Sequence, residues 1–202
     1  MNVATQMPEV EAEDRLRADL YNYLGLMLSG PPDQMLLDQS AALSGDDTPL
    51  GTAIRGLTRV AKVSKSKTVR SEFNALFIGL GRGELLPYAS YYLTGFLNEK
   101  PLANLRATMA NFGMTRADDV FEPEDNIASL MEMMAGMIVG RFGRVATVSE
   151  QNSFFNAHIG TWASHYFDDL QAAKSSVLYA SVGAVGAAFM DIEREAFRMT
   201  AN

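Results

Sequence analysis

Five carboxylates, Asp118, Asp119, Glu122, Glu124 and Asp125, crowd into eight residues with no lysine or arginine among them, and Arg116 stands just before. An ionised carboxylate accepts paired hydrogen bonds from a guanidinium, whose planar fork a lysine cannot imitate. The cluster therefore suits capture of a cationic, arginine-bearing ligand. Acids in a first helical turn also complement the helix dipole and cap free N–H groups, and Glu124 fits that plainer role. A second group is Pro87-Tyr88-Ala89-Ser90-Tyr91-Tyr92. Its tyrosines combine apolar bodies with polar tips, and Ser90 equally suits a helix cap. One exposed ion pair contributes only about 0–1 kcal/mol, so tight binding needs an apolar groove as well. Phe73, Phe77, the three tyrosines and Met131, Met133, Met134 and Met137 are candidates to line it, because methionine adapts to varied apolar partners. Helical spacing equally makes Phe73, Leu76 and Phe77 core residues, along with Met131 and Met134.

Other chemistry is thinly represented. The chain has no cysteine, which excludes disulfides, thiolate metal sites and a cysteine nucleophile. Its two histidines, His158 and His165, lie seven apart on one expected helix, and the paired Glu-x-x-His of di-iron bundles is absent. No metal site and no cofactor are expected. Gly79-x-Gly81-x-Gly83 lacks the Gly-Lys-Ser/Thr of a phosphate loop and follows a helix instead of a strand. No nucleophile elbow is present. The chain is accordingly not expected to be an enzyme. Twenty-four acids against 17 bases give a net charge of −7, the wrong sign for a nucleic-acid binder and the right one for a cationic peptide. The basic cluster Arg59, Lys62, Lys65, Lys67 and Arg70 reads as a solvated face.

These residues need elements to hold them, and the periodicity is helical throughout. Leu16, Leu20, Tyr23, Leu24, Met27 and Leu28 mark a first amphipathic helix, stopped by Ser29-Gly30-Pro31-Pro32. Asp33 caps a second, and Leu50, Ile54, Leu57 and Val60 mark a third. A fourth carries Phe73 and Phe77 as far as the Gly79–Gly83 break. A short helix follows the 86–92 loop, and another runs from Pro101 to a Gly113 cap. Glu122-Pro123 is expected to open a helix reaching Gly140, with proline at the first helical position. Residues 148–171 and about 174–198 complete the set. The sum is an all-α fold: a single compact bundle of about nine or ten helices over 10–202, after a disordered lead-in at 1–9. Residues 1–13 lack the basic and apolar regions of a signal peptide, and the apolar run Val177–Met190 is too short to span a bilayer. A cytoplasmic protein without membrane insertion is expected.

Three blocks together resemble the TorD/DmsD/NarJ family of redox-enzyme maturation chaperones. They are Phe73-Asn74-Ala75-Leu76-Phe77-Ile78-Gly79, then Pro87-Tyr88-Ala89-Ser90-Tyr91-Tyr92, then Glu122-Pro123-Glu124-Asp125-Asn126-Ile127 ahead of a Met/Leu-rich helix. His158, Trp162, Phe167, Leu170 and Tyr179 fit the family's closing pattern, so the resemblance covers about residues 70–192. The family's signature histidine is Asn126 here, a side chain that can hydrogen-bond but cannot titrate. The resemblance implies a helical chaperone, monomer or homodimer. It would bind the twin-arginine signal peptide and the apoenzyme of a molybdenum-cofactor oxidoreductase until cofactor insertion and export. It implies a signal-peptide site at Phe73, Phe77, Pro87, Tyr88, Ser90, Tyr91, Tyr92, Glu122, Pro123, Asp125 and Asn126. A NarJ-like assembly chaperone for a non-exported molybdoenzyme subunit, and a helical scaffold or regulator, are the alternatives.

Overall fold

A computed structural model of the chain describes residues 10–117 and 121–200. The expected lead-in at 1–9, and Asp118 and Asp119 of the acidic cluster, lie outside the described residues. Ten α-helices occur among them: α1 (Ala12–Ser29), α2 (Gln34–Ala42), α3 (Pro49–Ala61), α4 (Ser66–Phe73), α5 (Ala89–Thr94), α6 (Lys100–Phe112), α7 (Ile127–Val139), α8 (Val148–Phe154), α9 (Ala163–Ala172) and α10 (Leu178–Thr200). The fold is all-α, as expected. The one β-type feature among the described residues is an isolated antiparallel bridge between Tyr88 and Asn126.

The caps follow local chemistry. Asp33 accepts the Leu36 N–H, Thr48 accepts the Gly51 N–H, and Thr147 with Glu150 forms a reciprocal capping box. The Arg144 guanidinium and that box hold the Glu150 carboxyl down to about 2. Gly113 ends α6 with φ +67°, a left-handed position that glycine occupies without strain.

α7 is the central element. It is apolar almost all round, and Ile127, Leu130, Met131, Met134, Met137 and Ile138 are buried. A helix apolar on every side must be enclosed, and α1 packs along it. α10 packs on α9 and α3. Trp162, Tyr166, Phe167 and Tyr179 fill the space around these contacts, all 1% exposed or less.

Three boundaries differ from the sequence reading. The expected 148–171 helix is broken: α8 runs into a single π turn at Phe155–Ile159, and α9 starts anew only after Trp162. A matching π turn at Asn74–Ile78 follows α4. Such a turn adds about one residue to the helix, a shift small enough to be lost in the alternating three- and four-residue spacing of an apolar stripe. The third difference is α7, which starts at Ile127 and not at Pro123, because the Asn126 side chain accepts the Ala128 N–H at 2.9 Å and supplies the cap. Pro123 instead begins a turn in which its carbonyl accepts the Asn126 N–H.

Candidate functional site

The 87–90 and 122–127 segments are far apart in sequence and lie side by side. Ile127 N–H donates to the Pro87 carbonyl at 2.8 Å, and Ala89 N–H donates to the Asp125 carbonyl at 2.9 Å. Ser90 N–H donates to Asp125 Oδ2 at 2.8 Å, and Glu99 N–H donates to Ser90 Oγ at 3.3 Å. Asn126 completes the knot, since its Nδ2 donates to Glu122 Oε2 at 3.0 Å while its Oδ1 caps α7. One neutral side chain thus meets both demands, donor to a carboxylate and acceptor at a helix start.

Burial divides the expected residues. Pro87, Ser90, Asp125 and Asn126 are buried, and Asp125 is wholly enclosed with Oδ1 lacking a partner among the described residues. They are the framework of the site. Glu122 is exposed, and Tyr88, Tyr91, Tyr92 and Pro123 are half-buried, so these reach the surface. Burial, together with the Glu122 charge, raises the Tyr88 hydroxyl above its ordinary value and keeps it a donor. Tyr91 stacks under the Arg82 guanidinium and accepts its hydrogen bond at 2.6 Å. Tyr92 packs on Trp162 and Tyr166 and donates to Asp169 Oδ2 at 2.8 Å.

Phe73 and Phe77 are placed elsewhere. They stack with each other and with Tyr179 where α4 meets α10, and none of Tyr88, Tyr91 or Tyr92 is their aromatic partner. Met131, Met134 and Met137 are core. The apolar lining next to Glu122 keeps one expected residue, Met133, and otherwise comes from Met109, Met114 and Phe142, which the sequence did not single out. A cavity of about 220 Å³ is lined by Met109, Met114, Met133 and Phe142, with Glu122 and Glu132 at its wall. Ser129, Glu132 and Met133 share one face of α7 at i, i+3, i+4 spacing, a signal present in the sequence.

The charges around this cavity are unequal. Arg106 grips Glu124 through Nε and Nη2 at 3.0 and 2.8 Å, and Arg116 approaches it at 3.9 Å. Burial works against the Glu124 charge, but the Arg106 hydrogen bonds outweigh it and hold the carboxyl below its usual range. Glu124 is thereby neutralised. Glu122 and Glu132 make no ion pair among the described residues. Two carboxylates beside a methionine-floored cavity can take a guanidinium whose methylene stem lies on the thioethers.

Known proteins share this chain's pattern. The family model described as "Nitrate reductase delta subunit" matches residues 44–168. Chaperone protein TorD of Aliivibrio fischeri is 23% identical over 93% of this chain and 97% of the relative. Chaperone protein TorD of Vibrio atlanticus is 24% identical over 94% and 98%. A crystal structure from Archaeoglobus fulgidus, described as that of a redox enzyme maturation protein, superposes with a TM-score of 0.52 at 16% identity. It covers 93% of this chain and 99% of its own, a likeness of fold.

Proposed function

Because this chain belongs to the nitrate reductase delta subunit family, the TorD/NarJ family of redox-enzyme maturation chaperones, we propose that it binds the twin-arginine signal peptide of a molybdenum-cofactor oxidoreductase and holds the apoenzyme until its cofactor is in place. The observation that carries the reading is the cavity beside Glu122. It offers two carboxylates that make no ion pair among the described residues and a methionine floor, with Arg116 and Arg141 also on its lining and the half-buried Tyr88 beside Glu122 on the hydrogen-bonded frame. Glu122 and Glu132 receive the arginines. Pro87, Ser90, Pro123, Asp125 and Asn126 fix the two segments, and Tyr88, Tyr91 and Tyr92 border the path of the peptide. Phe73 and Phe77 act through packing against α10. The protein works by binding, without catalysis, in the cytoplasm where leader and apoenzyme are first present together. No helix among the described residues is long and apolar enough to cross a membrane.

Calorimetric titration with a synthetic twin-arginine leader tests this. Saturable binding is expected, weakened about tenfold by Glu122→Gln with Glu132→Gln, the loss typical of desolvated charge-assisted hydrogen bonds. Leader binding unaffected by both changes would move the site elsewhere. The family's description favours one second reading, an assembly chaperone for a molybdoenzyme subunit without a leader. Capture of clients from native cytoplasm separates the two: a precursor with an intact leader supports the first, a leaderless molybdoenzyme subunit the second.

A further inference from the structure

A larger apolar groove lies away from the Glu122 cavity. Leu16, Leu20 and Tyr23 run along α1 at i, i+4, i+7 and face Leu50 and Ile54 of α3 across a groove of about 580 Å³. Its floor is Leu57, Val185 and Phe189, each 2% exposed or less. Its lips are Leu16, Leu43 and Ile192, which are 71%, 40% and 46% exposed. α1 packs on α7 and α3 packs on α10, and the space between α1 and α3 is left unfilled.

The charge at the rim selects the occupant. Glu13 and Asp19 border the groove and make no ion pair among the described residues. Arg17 also borders it, but its guanidinium is held by Glu193 at 2.8 Å on both nitrogens and by Asp14 at 2.7 Å. The rim is therefore acidic over an apolar floor. A second copy of this chain would bring the same acids against it, and each chain already carries −7. The face along α1 from Glu13 to Tyr23 is about 15 Å long, the length of a helix of about ten residues.

We propose that this groove docks a second segment of the client polypeptide, a basic amphipathic helix of about three turns with its apolar face on Leu57, Val185 and Phe189 and its basic flank on Glu13 and Asp19. The proposal rests on the chaperone reading for the source of the segment, and its chemistry is independent of any twin-arginine motif. Two separate contacts on one client raise avidity without strengthening either.

The test uses the full chain and a fluorescein-labelled helical peptide of about ten leucines and lysines, without arginine, followed by anisotropy. Saturable binding is expected. Leu16→Glu with Ile192→Glu should weaken it tenfold or more, and both positions are exposed enough for the fold to persist by circular dichroism. Glu13→Lys with Asp19→Lys should weaken it several-fold and flatten its salt dependence. Glu122→Gln should leave this peptide unaffected while weakening the twin-arginine leader, so the two sites can fail independently. No binding, or equal binding by the lip variants, overturns the proposal. So does binding seen only after removal of residues 1–9, or a wild-type dimer that Leu16→Glu disperses, since either assigns the groove to another occupant.

Discussion

At the scale of single residues, the turn at 122–126 sends the Glu122 carboxylate to solvent and the Asp125 carboxylate into the interior. Asp125 has the residue type to hold an arginine, yet it faces inward and holds the Ser90 N–H. Sequence spacing could not tell it from Glu122, because the turn that directs one inward and the other outward depends on Asn126 acting as cap. The pairing of Glu124 with Arg106 was equally illegible, being a contact between α6 and a loop. Asp125→Ala leaves a buried N–H without an acceptor, a loss of about 1–3 kcal/mol. The expected outcome is a lower melting temperature with helicity retained, and weaker leader binding through a loosened 87–90 segment. Asp125→Asn keeps one acceptor oxygen and should recover most of both. An alanine variant matching the wild type in melting and affinity would show that the carboxylate does not hold the loop.

At the scale of elements, the helices were legible because each buries one periodic stripe, and α7 because it buries nearly all of itself. The π turns and the late start of α7 were not, since a one-residue shift hides within three- and four-residue spacing and a side-chain cap does not alter it. The α9–α10 contact shows how closely two helices approach. Val182, Val185 and Phe189 give α10 its apolar stripe, while Gly183 and Gly186 let the Phe167 ring and backbone lie against it. A Cβ on Gly186 would overlap the Phe167 ring, which is fully buried and has nowhere to go. Gly186→Ala ordinarily favours an exposed helix by about 1 kcal/mol. Here overpacking should dominate, with a net loss of about 1–3 kcal/mol in urea unfolding. Stabilisation by alanine would mean that α9 can move aside freely.

At the scale of the whole molecule, the all-α bundle was readable from helical periodicity and its family from three short blocks, but the tie between α1 and α10 was not. Arg17 and Tyr21 reach Glu193, which is 0% exposed, across 176 and 172 positions of sequence. Burial and the neighbouring Glu193 charge push the Tyr21 hydroxyl well up, so it stays a donor. Burial opposes the Arg17 charge, but its hydrogen bonds to Glu193 prevail and raise its value, so the guanidinium stays charged. Arg17→Ala strands that carboxylate, at a cost of about 3–5 kcal/mol. The consequence reaches into kinetics. A bond between such distant positions closes a very large loop, and loop closure comes late when helices can form locally first. The Arg17–Glu193 clasp should therefore be absent from the folding transition state. Stopped-flow measurements on Arg17→Ala should show refolding at nearly the wild-type rate and unfolding faster by two orders of magnitude or more. The clasp would then set how long the folded chain lasts between openings, while leaving the speed of its formation to the local helices. A slowed refolding limb would place the clasp in the nucleus instead.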